Sequence, residues 1–180
     1  MKILAFAATN HKNSINKQLV THATEVLKTD LAEDADVEII DLNDYEMPIF
    51  SPERETEGGV PDLAHKFFNK IGVADAVIIS FAEYNGNYTV AYKNIFDWAS
   101  RIQMKVFQDK KVMHMSGSIG PGGGANVLRV ANDSAPFFGS DLKASFSVGP
   151  FSEKFDSKKG AFADPELAQT LRSSLKALVA

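Results

Sequence analysis

The chain contains no cysteine. Disulfides, thiol nucleophiles and thiolate metal sites are therefore excluded. Histidine is scarce as well: the four residues His11, His22, His65 and His114 show no metal-ligand spacing. No G-x-S-x-G nucleophile motif occurs. Nor is there a basic stripe. With 19 Lys and Arg against 23 Asp and Glu, the net charge of −4 argues against a nucleic-acid or anionic-membrane partner. Long apolar runs are missing too. The first, Ile3 to Ala8, is too short for a signal core or a membrane span, so the cytoplasm is the expected location. No linker-like shift, repeat or low-complexity tract divides the 180 residues, of which 44% are hydrophobic. One domain over residues 1–180 is expected, burying roughly 70% of its unfolded surface.

Several short apolar runs alternate with amphipathic ones. Lys2–Ala8, Val37–Leu42, Asp75–Phe81, Lys111–Met115 and Leu142–Val148 read as strands, apolar and rich in β-branched residues. Helices are expected after Ser14, with Ile15, Leu19, Ala23, Val26 and Leu27 on one face, and over 61–73, 88–103 and 125–133. A fifth opens at Asp164-Pro165-Glu166 with a cap, an N1 proline and a first-turn acid. Residues 43–60 form an unusually long connection, which reads as a mobile surface loop or a lid. Five strands alternating with five helices imply an α/β fold with a parallel sheet covered on both faces. The flavodoxin-like strand order 2-1-3-4-5 suits it, with the first and third strands at the switch point.

That order brings three unusual loops to one sheet edge. Thr9, Asn10, Asn13, Ser14 and Asn16 surround a helix start, where free N–H groups and the dipole favour an anion such as a phosphate monoester. Simple helix capping by Ser14 and the asparagines is the other reading. The second loop, Glu83-Tyr84-Asn85-Gly86-Asn87-Tyr88, combines a turn that allows φ > 0 with aromatic surface for a flat ligand; its aromatics are otherwise incidental. In the third, Gly120, Gly122 and Ala125 fit the dinucleotide pattern G-x-G-x-x-A. Pro121 interrupts that pattern, and no acidic residue ends the next strand. The glycines read better as letting backbone N–H groups approach a ring edge, or as a flexible loop.

These stretches resemble the NADPH-dependent FMN reductases. Ala8 to Asn16 is similar to that family's phosphate loop G-S-x-R-x-x-S-x-N. Glu83-Tyr84-Asn85-Gly86, with Lys93-Asn94 and Asp97-Trp98 after it, resembles P-E-Y-N-G…K-N…D-W, the most specific of the motifs. Ser116-Gly117 and Gly122-Gly123 echo its Gly-rich third loop, and Asp41-Leu42 with Pro48 fits after strand two. The resemblance implies a flavodoxin-like fold, noncovalent FMN, a homodimer or homotetramer, and electron transfer from NADPH or NADH. The implied acceptor is a small molecule: a quinone, azo compound, free flavin or metal oxyanion. Thr9, His11, Ser14, Ile15 and Asn16 are expected to hold the phosphate and ribityl end. Glu83, Tyr84, Asn85 and Gly86 would contact the ring, with Ser116, Gly117, Gly122 and Gly123 at its other edge. Glu83 also reads as an anchor of its turn. Three positions depart from the pattern: His11 stands for the family's arginine, Ala8-Thr9 for its glycine and serine, and Ala82 for its proline.

A flavin cofactor carries the hydride chemistry itself, so no protein nucleophile is needed. A flavodoxin-type electron carrier and a non-catalytic FMN-binding protein remain alternatives. A phospho-receiver domain does not fit, because strand one ends Ala7-Ala8-Thr9 without acids. The helix at 88–103 carries Tyr88, Ala91, Tyr92, Ile95, Phe96, Trp98, Ala99 and Ile102 over an arc of roughly 160°. A surface helix needs only about 100°. The excess suggests that this helix lies in a dimer interface.

Overall fold

The computed structural model describes residues 1–180. Five parallel strands form the sheet: β1 (Lys2–Ala8), β2 (Asp36–Ile40), β3 (Ala76–Phe81), β4 (Lys110–Gly117) and β5 (Ser140–Val148), in the order β2-β1-β3-β4-β5. The fold is flavodoxin-like, as the alternation of elements requires. In the interior strands β1 and β3 every residue after Lys2 is buried, whereas β2 and β5 show the partly exposed pattern of sheet edges.

Strand periodicity sorts the core into two layers. Leu4, Phe6, Val77, Ile79 and Phe81 face α3 (Asp62–Val73), α4 (Val90–Ile102) and α5 (Ala125–Ser134). This layer is aromatic: Phe6 meets Phe67 edge-on at 5.5 Å, and Phe81 meets Tyr92 at 5.4 Å. Ile3, Ala5, Ile78, Met113 and Met115 point the other way, to α1 (Ile15–Asp30) and α7 (Pro165–Val179). There Leu19, Leu27, Leu171, Leu175 and Leu178 make a largely aliphatic layer. Burying each such side chain stabilises the fold by about 1.5–3 kcal/mol before the entropic cost. No helix is long and apolar enough to cross a membrane.

Three expectations need correction. Residues 43–60 are not a structureless loop: a 3-10 turn covers Leu42–Tyr45 and α2 covers Pro52–Gly58. The segment is neither loose nor a lid, because α4 holds it. Asn94 Nδ2 donates to the carbonyls of Met47 (3.1 Å) and Pro48 (3.2 Å), and Asn94 Oδ1 accepts from Phe50 N–H (2.9 Å). Trp98 Nε1 donates to Pro48 O at 2.7 Å, Phe50 stands edge-on to the indole at 5.0 Å, and Arg101 Nε donates to both carboxylate oxygens of Glu55 at 3.0 Å.

The broad apolar arc of α4 is explained by the same contacts. Tyr92, Ile95, Phe96, Trp98 and Ala99 are all buried within their own chain, Trp98 under this strap and Phe96 against Phe107 and Phe138. The arc is core, so it gives no argument for an interface. Finally, the strand–helix alternation acquires an insertion after β5. It comprises α6 (Phe151–Lys154) and a hairpin of β6 (Phe155–Asp156) and β7 (Ala161–Phe162).

Candidate functional site

Strand register places the three loops together. Ala8 pairs with Phe81, Phe81 with Ser116, and Ser116 with Ser147, so these strands end in line along one sheet edge. The switch point between β1 and β3 lies there, where open α/β sheets take ligands.

In the first loop, the side chains mostly organise the backbone. Thr9 is fully buried, and its hydroxyl accepts from His11 N–H at 3.1 Å. Ser14 caps α1, its Oγ accepting from Asn16 N–H at 3.1 Å, which leaves its own O–H free to donate. Ile15 packs its side chain into the aliphatic layer, and the His11 side chain is exposed. Asn43 Nδ2 braces the loop from the 3-10 turn by donating to Asn10 O at 3.1 Å. Asp41, beside it, pairs with Lys17. Partial burial works to raise the Asp41 pKa, but the Lys17 ammonium and the Asn43 donors outweigh it and hold the carboxyl below its usual range.

What this scaffold leaves over is the useful part. The N–H groups of Asn10, Lys12, Asn13 and Ile15 have no acceptor within the chain. Four orphan donors at a helix start suit a phosphate monoester.

Asn16 does something sequence reasoning did not assign. It is buried, Oδ1 accepts from Gly117 N–H (2.9 Å) and Ser80 Oγ–H (2.8 Å), and Nδ2 donates to Gly117 O (3.1 Å). The side chain thus ties the first loop to the third. Glu83 ties the second to the third in the same manner. Helix α5 has no side-chain cap of its own, since Gly124 occupies the cap position at φ +79°. The Glu83 carboxylate supplies the cap from across the edge, accepting from Val127 N–H at 2.9 Å and Asn126 Nδ2 at 3.3 Å.

Asn85 and Gly86 take φ values of +53° and +77°, closing a tight turn in which Tyr84 and Asn87 exchange backbone hydrogen bonds. Tyr84 stands half exposed at its tip. In the third loop, the Ser116 hydroxyl donates to Gly123 O at 2.8 Å. A side chain on Gly123 would meet the Val148 backbone at about 2.9 Å, so that glycine is needed for packing against β5. Gly122 faces open space and its N–H is unpartnered, as is that of Gly86. Next to these loops lies a cleft of about 490 Å³ between Asn10, the Leu42–Ile49 segment, Tyr84 and the start of α4. Ile49, Tyr84 and Val90 are its exposed apolar rim.

The residues missed as contributors are Asn43, Asn94, Trp98 and Thr89. Thr89 caps α4 and donates to Ala8 O at 2.9 Å. Asn94 and Trp98 fall within a recognisable motif, but their task depends on a strap some 45 residues upstream, which no local pattern reveals.

The sequence has relatives over its whole length. An NAD(P)H:quinone oxidoreductase from Solanum tuberosum is 31% identical over 186 residues, covering 100% of this chain and 92% of the relative. A quinone reductase from Escherichia coli is 24% identical over 179 residues, 98% of this chain and 93% of the relative. Among solved structures, FerB, a flavoenzyme NAD(P)H:(acceptor) oxidoreductase from Paracoccus denitrificans, superposes with a TM-score of 0.75 at 20% identity. That match covers 99% of this chain and 94% of FerB. An azoreductase from Bacillus anthracis gives 0.68 at 17% identity, with 99% of both chains covered. The sequence model of the NADPH-dependent FMN reductases matches residues 1–148, all five sheet strands and the three loops included, and the chain belongs to that family.

Proposed function

We propose that residues 1–180 form one FMN-binding domain that oxidises NAD(P)H and passes the electrons to a quinone. Family membership carries the oxidoreductase activity, FMN and NAD(P)H. The quinone comes from the potato relative. The observation that supports the cofactor's seat is the set of unpartnered N–H groups on Asn10, Lys12, Asn13 and Ile15. They fit the phosphate of FMN, and the Ser14 O–H adds a donor. The open backbone at Gly86 and Gly122 fits the two edges of a planar ring.

Held by the 9–15 loop, Gly86 and Gly122, FMN would supply the hydride and electron transfer between nicotinamide and acceptor. The chain's own contribution is position. Asn16 and Glu83 hold the three loops at fixed separations, so the ring would enter a preformed slot rather than order it. Tyr84 would lie beside the ring, and the apolar rim of Ile49 and Val90 would offer a dry approach for an aromatic acceptor. We assign the same rim to a homodimer contact, since three large apolar side chains exposed at one cleft favour cover by a second copy. Dependence on NAD(P)H supports the cytoplasm.

Purified protein should be yellow, with a flavin spectrum and FMN as the released chromophore. Ser14→Ala should weaken FMN binding by about 1.5–3 kcal/mol, the value of a charge-assisted hydrogen bond. Steady-state NAD(P)H oxidation with a quinone separates a reductase from a one-electron carrier. Colourless protein that does not bind added FMN would overturn the reading.

A further inference from the structure

A second recess lies on the outer side of the phosphate loop. It measures about 520 Å³, runs between the N-terminal half of α1 and the turn of the β6–β7 hairpin, and none of its twelve lining residues is hydrophobic. The hairpin is held there by His22, whose ring stands edge-on between Phe155 (5.6 Å) and Phe162 (5.2 Å). Lys154 and Asp164, paired at 2.6 Å, close its base. The turn 157–160 is thereby fixed over α1, and it lies outside the stretch that the family model matches.

On a chain of net charge −4, this recess is lined by four lysines and one carboxylate, Glu25. Two of the lysines are engaged: Lys17 with Asp41, and Lys159 at 3.7 Å from Asp156. Lys12 and Lys158 have no carboxylate partner. They come from different elements, the phosphate loop and the hairpin turn, and are brought to one groove only by the fold. His22 adds no charge at neutral pH, because burial lowers its pKa, with Arg172 acting in the same direction against the pull of Glu25. Between the lysines stand hydroxyls and amides, Thr21, Gln18 and Ser157 among them. Such a lining has donors for phosphate and sugar oxygens and no apolar surface for a base.

We propose that this groove takes the ribose 2′-phosphate of NADPH, with Lys12 and Lys158 as the residues that favour NADPH over NADH. The inference rests on the functional reading above. Lys12, Asn13 and Ser14 belong both to the phosphate loop and to the groove. A dinucleotide with its nicotinamide at the ring loops would lay its phosphorylated ribose along the outside of the same loop, with the adenine left outside the groove. Both lysine side chains are exposed, so the discrimination should weaken with added salt.

The test uses FMN-loaded protein and calorimetric titration with adenosine 2′,5′-bisphosphate and, separately, 5′-AMP. The bisphosphate should bind at least about tenfold more tightly, one charge-assisted contact at an exposed site. Lys158→Glu should abolish that preference, Lys158→Arg should keep it, and FMN affinity should hold in both. The NADPH-to-NADH ratio of kcat/KM should fall in step in Lys158→Glu. Equal affinity for the two nucleotides in the unmutated protein overturns the inference. So does a parallel loss of FMN in Lys158→Glu, which would make the groove a rim of the flavin phosphate site. Failure of NAD(P)H oxidation alone would strike the functional reading, because the titration reads the groove directly.

Discussion

The first loop, residues 9–15, and the strap, residues 46–55, both follow a strand and both carry motif residues. They use their polar groups in opposite ways. In the strap, the Met47 and Pro48 carbonyls and the Phe50 N–H are claimed by Asn94 and Trp98 of α4. In the loop, four backbone N–H groups are left without partners although the side chains of Thr9, Ser14 and Asn43 brace the backbone around them. A buried or braced segment that keeps orphan donors is poised for a ligand, whereas one with its donors satisfied is scaffold. The lesson extends to Asn16 and Glu83, whose side chains build the site by tying its loops together.

The largest expected effect breaks the strap. Trp98 is 1% exposed, and Trp98→Ala removes its indole from between Pro48 and Phe50. A loss of about 3–5 kcal/mol in urea unfolding is expected. If scaffold and ligand loop are separable, FMN affinity should change much less; an equal loss in both would erase the distinction.

Acid attacks the core between the sheet and α5. His114 is buried, with Nδ1 on Asn132 Oδ1 at 2.9 Å, the ring edge-on to Phe81 at 5.1 Å, and Nε2 without a partner. Burial pushes its pKa down to about 4, although the Asn132 hydrogen bond works the other way. The unfolded chain takes up a proton near the ordinary value of about 6.5, while the folded chain refuses it until about pH 4. Stability should thus be full above pH ~6.5 and fall by about 3 kcal/mol as pH drops to ~4. Chemical denaturation at pH 7 and pH 4.5 checks this, and a His114→Gln variant with an unchanged slope would assign the loss elsewhere.

Asn16→Ala should cost about 2–3 kcal/mol, because Gly117 N–H and the Ser80 hydroxyl lose a buried acceptor. Its signature is lowered thermal stability even without flavin, in contrast to Ser14→Ala, whose stability loss is about 1 kcal/mol. The smallest effect sharpens the comparison from the outside. Arg101→Ala removes the exposed pair with Glu55 and should cost no more than about 1 kcal/mol, decreasing with salt. A larger loss would mean that the strap hangs on this ion pair rather than on Asn94 and Trp98.

The sequence by itself determined the sheet and its order. Period-two and period-3.6 apolar patterns are local, and alternating strand and helix leave few ways to bury both faces. It also determined the three loops, because Asn85-Gly86 and the Ser14 cap are short-range backbone devices. Tertiary structure alone decided which polar residues serve the scaffold. Asn16 bonds Gly117 across 101 positions, Glu83 caps a helix 44 positions away, and Trp98 holds Pro48 from 50 positions downstream. It likewise decided that the wide apolar arc of α4 is core, since the short stretch Met47–Phe50 that covers Trp98 carries no periodic pattern and is brought there by hydrogen bonds from Asn94 and Trp98. A hydrogen bond between distant residues leaves no periodicity behind; it exists only once packing has brought donor and acceptor within about 3 Å.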